Sequence, residues 1–368
     1  MYTYTASENF QEVILKALKV KALLEEHQGI APGFDALRII FCVVIIAWHS
    51  YTVTTGKTIT GYPAINALLR SILPMFFFLS GFLVTGSALR LRSIRTFFLF
   101  RFFRIIPALV VEVTLSAIVI GGVVTTLAVG EYFQHPEFYA YFANIFGFVH
   151  LFLPGVFETH PTPFVNVNLW TLPPELKCYI ITLVLMACGA IYDRRIFLVL
   201  FIAYTLCMLF MLPELNWGVQ YSPNYKLLNV HGYSLIYCFS AGIACYLFGD
   251  KIPIRRDLML VSFIGLGFLA VDYTVMIGLF FSFYFCLCMG FIDLRKISMR
   301  LKGDYSYGLY LYGYPIQQTL CYFFTDLRSP VALFVVALPT AFLFAALSWH
   351  LVEKPVLSLR KRFDKVKI

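Results

Sequence analysis

The sequence predicts an all-α membrane protein, a bundle of about ten transmembrane helices with both termini in the cytoplasm. The prediction depends on the composition, on ten apolar runs of helical length and on the distribution of positive charge. Of the 368 residues, 60% are apolar and only 13% are charged. Because a soluble protein carries roughly 25% charged residues, this composition excludes an ordinary soluble enzyme, a disordered chain, a disulfide scaffold and a nucleic-acid-binding module.

The apolar runs set the predicted spans. A hydrocarbon core about 30 Å thick requires about 20 apolar residues of helix. Ten runs near that length are separated by charged or Pro/Gly-rich joints, and the seventh nearly touches the eighth at Asp272. The predicted spans are 37–54, 68–86, 105–129, 176–192, 196–212, 232–248, 258–271, 273–292, 305–324 and 331–351.

Positive charge sets the predicted orientation. Of the 29 Lys and Arg residues, 23 fall in alternate joints that include both termini, five fall in the other joints or within the first three residues of the span that follows, and Arg38 lies in the first span. Cytoplasmic joints carry the excess of Lys and Arg. We therefore place both termini inside and the long joint 130–175 outside. The net charge of +9 reflects this topology and does not indicate a nucleic-acid partner.

Three regions follow from this organisation. Residues 1–33 are expected to form a cytoplasmic amphipathic segment, because apolar residues recur at helical spacing between Phe10 and Leu18 and no signal-peptide cleavage site follows. Residues 34–353 are the predicted membrane domain, and 354–368 are a basic cytoplasmic tail. Because long joints without evident elements are usually functional or partly re-entrant, we expect one of these roles for the aromatic-rich joint 130–175. The nine cysteines lie almost entirely in apolar runs, and we interpret them as small buried hydrophobic residues.

The first span contains two ionisable residues, Arg38 and His49. Eleven residues at 100° each come within about 20° of three full turns and rise roughly 16 Å, so both residues share one stripe of the helix. Ionisable groups inside spans usually face the bundle interior. The alternatives are that Arg38 extends to the membrane surface and that His49 is a satisfied core imidazole.

Two further arginines stand at the start of the third span. Arg101 and Arg104 are three residues apart and share a helix face. Such a pair can bind an anionic group, for example a nucleotide diphosphate, in bidentate fashion. The alternative is simple anchoring of the span by positive charge.

Other candidate residues lie in three different strings. Ser80 and Gly81 form a small pair that allows close approach of a ligand or of another helix. Trp170 and Glu175 precede the fourth span, where a carboxylate also suits a helix start. Tyr307 is one of several tyrosines in the ninth span. No metal-binding or phosphate-transfer motif is present in the sequence.

Six strings in the chain resemble, in this order, the integral-membrane acyltransferase-3 family. The similarity extends from about residue 34 to residue 362, which is nearly the whole chain. Many relatives have a histidine where this chain has Gly313, so no role for that histidine carries over. The strings are FDALR, FFFLSGF, RFFRIIP, LWTLPPE, SYGLYLYGYPIQQ and LVEKP.

The resemblance implies transfer of an acyl group, usually acetyl, from coenzyme A to sugars of bacterial surface polysaccharides. It implies that His49 is the essential histidine with Arg38 as its partner, and that Arg101 and Arg104 are the paired arginines of the third helix. A hydroxyl is a poor nucleophile near neutral pH and needs a base, a task that suits histidine. Direct proton abstraction and an acetylated histidine both remain open.

We complete the predicted site with one catalytic carboxylate and three substrate contacts. The predicted donor is acetyl-CoA, without a metal. The predicted partners are acyl-CoA, a polysaccharide or lipid-linked sugar acceptor and membrane lipids, with no nucleic acid, and the predicted location is the bacterial inner membrane. The added residues are Glu175 as the catalytic carboxylate, and Ser80, Trp170 and Tyr307 as substrate contacts.

Two other functions fit the same pattern. A transporter or flippase of a lipid-linked sugar would also use many helices and an internal polar stripe. Such proteins often contain paired internal repeats and broken helices, and this sequence shows no such pairing. A non-catalytic scaffold of a polysaccharide assembly complex is the third alternative.

Overall fold

The part of the protein that the structure describes is helical. The computed structural model describes residues 18–29, 31–57, 62–210, 232–271, 274–292 and 303–358. Within these ranges there is no β-strand, and one isolated bridge joins Lys19 to Pro253. The predicted all-α fold class is confirmed for these residues.

In the described part of the first half of the chain there are three long α-helices and three short ones. The helix that begins at Phe34 ends at Gly56, where φ is +67° and a residue with a side chain would be strained. Ser93 caps the helix that begins at Ile94, because its Oγ accepts a hydrogen bond from Thr96 N at 3.3 Å. The helices are α1 (Val20–Glu26), α2 (Phe34–Thr55), α3 (Pro63–Leu91), α4 (Ile94–Thr114, continued by a π-turn at Leu115–Ile120 and a last turn at Gly121–Val124), α5 (Val129–Gln134) and α6 (Pro136–Tyr141).

Seven α-helices lie in the described ranges of the second half. Ser329 caps the last of them by accepting from Ala332 N at 3.2 Å, and Pro330 follows at a position that needs no N–H donor. The helices are α7 (Leu172–Ala187), α8 (Arg194–Phe210), α9 (Tyr233–Leu247), α10 (Arg256–Gly265, continued by a 3₁₀ turn at Leu266–Ala270), α11 (Val275–Gly290), α12 (Ser306–Phe323) and α13 (Pro330–Ser348, followed by a π-turn at Trp349–Glu353).

Each of the ten predicted spans overlaps one of these helices. The total of ten spans and the cytoplasmic location of both termini stay predictions. The connection at Asp272 and the amphipathic pattern before residue 18 lie outside the described residues. Among those described, five helices are long and apolar enough to cross a membrane, namely Phe34–Thr55, Pro63–Leu91, Ile94–Val124, Val167–Ala187 and Pro330–Ser358.

Several joints that we predicted to be cytoplasmic contact one another. The backbone N–H of Val20, the first residue of α1, donates to the carbonyl of Ile252, in the joint after α9, at 3.0 Å. Arg194, at the start of α8, pairs with Asp250 of the same joint, with 3.0 Å between Nη1 and Oδ2. These basic joints therefore gather at one end of the bundle, which agrees with the predicted topology.

Helix α3 lies at the centre of the described bundle. Its apolar window is 67% buried, the highest value among the five candidate spans. A Cβ atom added at Gly81 would lie 2.0 Å from the carbonyl oxygen of Phe239 on α9, and one added at Gly242 would lie 2.0 Å from that of Phe78. Small residues thus bring the backbones of α3 and α9 into direct contact, as is common between membrane helices.

The joint between α4 and α7 returns into the bundle. We call residues 160–171 the re-entrant segment, because they lie along α12 over a rise of about 12 Å. Gln318 Nε2 donates to the carbonyl of Phe164 at 2.7 Å, and Asn168 Nδ2 donates to the carbonyl of Tyr310 at 2.6 Å. The side chain of Gln318 thereby satisfies non-helical backbone of the segment, which membrane interiors require, and Asn168 fixes the segment to α12.

Candidate active site

Helices α2 and α12 lie side by side and run in the same direction. Arg38 contacts Asp304, close to the start of both helices, and Gln317 Nε2 farther along α12 donates to the carbonyl of Ile46 at 2.7 Å. The ring of His49 lies 5.1 Å from that of Tyr314 on α12. The stripe of α2 that carries Arg38 and His49 therefore faces α12 inside the bundle.

Asp304 joins two arginines immediately before α12. Its Oδ2 accepts from Arg38 Nη1 at 2.8 Å and from Arg104 Nη2, and its Oδ1 accepts from Ser306 Oγ at 2.7 Å. The three charged side chains are between 18% and 27% exposed. Burial opposes ionisation of the carboxyl, but the two guanidinium groups outweigh it and hold the pKa of Asp304 below its ordinary value.

Arg101 is held by aromatic rings. Its guanidinium lies 5.5 Å from the ring centroid of Phe97 and 5.7 Å from that of Tyr179, distances at which a cation is attracted to the ring face. The hydroxyl of Tyr179 donates to Glu175 Oε1 at 2.7 Å. Glu175 and Tyr179 are four residues apart on α7 and share a face, so α7 brings a carboxylate towards the arginines.

These charged residues surround a cavity of about 320 Å³, which is within the size range of small-molecule sites. The hydroxyl of Tyr307 donates to the carbonyl of Ile105 at 3.0 Å and fixes that part of the wall. Three guanidinium groups and two carboxylates give the lining a net positive charge. Its polar residues are Ser80 on α3, Arg101 and Arg104 on α4, Thr171, Glu175 and Tyr179 beside or on α7, Arg38 on α2, and Asp304, Ser306, Tyr307 and Tyr310 beside or on α12.

His49 is half-buried and does not line this cavity. The outermost cavity residue on α12 is Tyr310, one helical turn before Tyr314, against which His49 packs. The other face of the imidazole lies near Trp48, with 5.8 Å between ring centroids. His49 is therefore about one helical turn beyond the described end of the cavity.

The re-entrant segment closes this end of the cavity. Thr171 Oγ1 and the hydroxyl of Tyr310 are 2.8 Å apart and share a hydrogen bond. Asn166, with its side chain fully buried, donates to Glu112 Oε1 at 2.8 Å and fixes the segment to α4. Trp170 is half-buried and packs against the hydrophobic core, but it is not among the residues that line the cavity.

Residues 32–350 match the family model described as an acyltransferase domain. The chain belongs to the acyltransferase-3 family. The match includes Arg38, His49 and Asp304, so the cluster of charges and the histidine both lie within the acyltransferase domain.

Two curated proteins resemble this acyltransferase along nearly their whole length. An O-acetyl transferase of Shigella phage Sf6 is 28% identical over 341 residues, which are 88% of this chain and 96% of that protein. Nodulation protein 10 of Rhizobium leguminosarum bv. viciae is 25% identical over 369 residues, which are 91% of this chain and 96% of that protein. No solved structure matches significantly. The family and the name of the phage relative support an O-acyltransferase activity in a membrane protein.

The structure brings together six of the eight site residues predicted from the sequence of this acyltransferase. His49 and Trp170 are the two that do not reach the cavity. The six residues that line it are Ser80, Arg38, Arg101, Arg104, Glu175 and Tyr307.

Sequence reasoning missed Asp304, Tyr179 and Tyr310. Asp304 has a recognisable signal, since it is a carboxylate between a basic joint and the SYGLYLYG string. Tyr179 also had a signal, because it follows Glu175 by four residues on a predicted helix. Tyr310 has no signal of its own among the tyrosines of the same string.

Proposed function

We propose that this acyltransferase transfers an acetyl group from acetyl-CoA to a hydroxyl group of a bacterial surface polysaccharide or its lipid-linked precursor. The observation that carries the proposal is the cavity with three arginines at the predicted cytoplasmic end, in a chain similar to a phage O-acetyl transferase. Acetyl-CoA is anionic and cytoplasmic, and the cavity is positively charged. The protein would act in the bacterial inner membrane.

Arg101 and Arg104 are the proposed contacts of the coenzyme A phosphates. A guanidinium carries five N–H donors in a planar fork that suits phosphate oxygens. The described bond from Arg104 to Asp304 engages one of its nitrogen atoms, which leaves other N–H groups for a ligand. Asp304 also fixes Arg38 beside Arg104, so the guanidinium groups are oriented before a donor arrives.

His49 is the proposed base or acetyl carrier. It is eleven residues, or about 16 Å, along α2 from Arg38, and Arg38 shares Asp304 with Arg104. The long pantetheine arm of coenzyme A is suited to such a separation, with the phosphates at the arginines and the thioester near His49. His49 Nδ1 has no hydrogen-bond partner within the described residues, so substrate is its proposed partner.

The proposed reaction exchanges a thioester for an ester. The carbon–sulfur bond of acetyl-CoA breaks, the acceptor hydroxyl forms the new carbon–oxygen bond, and its proton passes through the imidazole to the departing thiolate. Arg38 supports His49 from the same stripe, and Glu175 is the proposed second catalytic group. Ser80, Trp170 and Tyr307 are the proposed substrate contacts.

Release of free thiol by purified protein tests the activity. Wild-type protein in detergent, given acetyl-CoA and surface polysaccharide from the same bacterium, is expected to release coenzyme A. His49→Ala should stay folded and lose about a hundred- to ten-thousand-fold of that rate, and His49→Gln should not restore it, because an amide is not a base. The control is His150→Ala, since His150 is exposed and lies in the joint 130–175, away from the cavity.

The outcomes separate the three functions. A wild-type protein that releases no thiol contradicts the enzyme and favours the flippase or the scaffold. Thiol release that survives in His49→Ala within a few-fold of wild type removes His49 from the mechanism. Loss of an acetyl signal in the NMR spectrum of surface polysaccharide from a knockout strain would identify the acceptor.

A further inference from the structure

The LVEKP string at the end of the last span has no role in the reaction described above. In the structure it overlaps a π-turn, Trp349–Glu353, inserted between α13 and the short helical end at 354–358. Residues five apart do not face each other on an α-helix, because 500° leaves them about 140° apart. In the π-turn Ser348 and Glu353, which are five apart, do face each other, and Ser348 Oγ donates to Glu353 Oε1 at 3.0 Å.

The π-turn directs the carboxylate of Glu353 into the protein. The residue is 1% exposed, whereas Leu351, two positions earlier, is 70% exposed. Glu353 Oε2 has no hydrogen-bond partner within the described part of the chain. π-turns inside helices are rare and frequently occur at functional sites, and a buried carboxylate with one unsatisfied oxygen is costly.

The charges around Glu353 belong to the cavity. Burial is the main influence on this carboxylate, and the charges that act on it are those of Arg104, Asp304 and Arg38. The π-turn packs against α4, which carries Arg104. One turn after Glu353, Leu357 lines the cavity itself. Glu353 therefore lies on a segment that packs against the helix of the arginine that we assign to the donor phosphates.

We propose that Glu353 is a positioning residue that, together with Asp304, holds the guanidinium of Arg104 in the orientation that binds the acyl donor. The inference rests on the proposed function, since it gives Glu353 a role in donor binding. Asp304, before α12, restrains Arg104 by a direct ion pair, and Glu353, after α13, attracts the same guanidinium without a direct ion pair within the described residues. Such preorganisation raises affinity by lowering the ordering cost of binding.

Positioning of Arg104 and simple repulsion of the anionic donor by Glu353 predict opposite changes in KM. If Glu353 only repelled the donor, Glu353→Gln would make the site more positive, strengthen the binding of an anionic donor and lower KM. If Glu353 positions Arg104, the same change disorders the guanidinium and raises KM. The substitution keeps the side-chain volume, and the amide oxygen can still accept from Ser348.

A double-mutant cycle tests the role of Glu353. We expect Glu353→Gln to raise KM for acetyl-CoA about three- to tenfold, within the range of coupling between neighbouring residues, with kcat nearly unchanged. In an Arg104→Ala background the same change should have no further effect. Asp257→Asn is the control, because Asp257 is an exposed carboxylate that pairs with Arg255 and should leave KM unchanged.

A second variant keeps the test decisive if Glu353→Gln does not fold. Ser348→Ala leaves the carboxylate in place, removes the hydroxyl that orients it, and should raise KM by a smaller factor that also disappears in the Arg104→Ala background. A KM that falls or stays constant, or an equal rise with and without Arg104, overturns the proposal. Wild-type protein that neither binds coenzyme A nor releases thiol contradicts the proposed function itself.

Discussion

Gly81→Ala tests the close crossing of α3 and α9, which forms one wall of the cavity. The new Cβ atom would lie 2.0 Å from the carbonyl oxygen of Phe239, whereas ordinary contacts begin near 3.4 Å. The oxygen belongs to the backbone of α9 and cannot rotate away. The two helices must therefore separate locally by about 1.4 Å, and Ser80 and Phe239, which both line the cavity, must move with them.

Two opposing contributions determine the size of the effect. Alanine is favoured over glycine inside a helix by about 1 kcal/mol. Overpacking a well-packed interior costs about 1–3 kcal/mol, and the upper part of this range applies when backbone must shift. We therefore expect Gly81→Ala to lower the free energy of unfolding by about 1–2 kcal/mol and to reduce acetyl-CoA turnover.

Thermal unfolding of the purified protein in detergent measures this effect. Gly130→Ala is the matched control, because Gly130 lies in α5 and a Cβ atom there would meet nothing within 4 Å. The control should unfold at or slightly above the wild-type temperature. If Gly81→Ala also unfolds at or above that temperature, the backbones of α3 and α9 are not in contact and the reasoning is wrong.

Three other predictions follow from the described contacts. Arg104→Ala should raise KM for acetyl-CoA more than it lowers kcat, because a group that binds the phosphates acts on ground and transition states alike; steady-state kinetics would contradict this if kcat collapsed at constant KM. Asp304→Asn should lower thermal stability at neutral pH, and the difference from wild type should shrink progressively as the pH falls below about 4, the ordinary pKa of an aspartate, because below that value the unfolded chain takes up a proton while the depressed pKa keeps the native carboxyl ionised; a constant difference down to pH 2 would refute it. Gln318→Ala should speed hydrogen exchange at the amide of Val165, which donates to Leu151, because Gln318 Nε2 holds the neighbouring carbonyls of Thr162 and Phe164 and an unsatisfied buried group costs about 1–3 kcal/mol; unchanged exchange would show that other contacts hold the re-entrant segment.

The helices could be predicted from the sequence because membrane insertion depends on local properties. A run of apolar residues near bilayer length must satisfy its own backbone, and a helix is the only single-segment solution. The predicted first and last residues of the spans agree less well with the observed helix ends. Helix α3 begins at Pro63, five residues before the predicted start of its span, because proline suits the first position of a helix and extends it into a flank that hydropathy does not register.

The candidate site could be predicted only in part. Arg38, Arg101 and Arg104 were recognisable because a charge in or beside an apolar run is unusual. The pairing of Arg38 and Arg104 with Asp304 depends on contacts between residues at least 200 positions apart, which no local pattern contains. The π-turn at Glu353 differs from an α-helix by a single residue and leaves the hydrophobic pattern almost unchanged.

The separation of Asp304 from its arginines along the chain also determines the order in which the protein is built. Arg38 precedes Asp304 by 266 residues and Arg104 precedes it by 200, so the ribosome delivers both cations to the membrane long before their shared anion. During that interval lipid phosphates must neutralise these cations or water must hydrate them, since an uncompensated charge in the bilayer is expensive. A nascent chain released before α12 would carry that electrostatic penalty permanently, and cellular quality control would encounter it as an incompletely inserted protein.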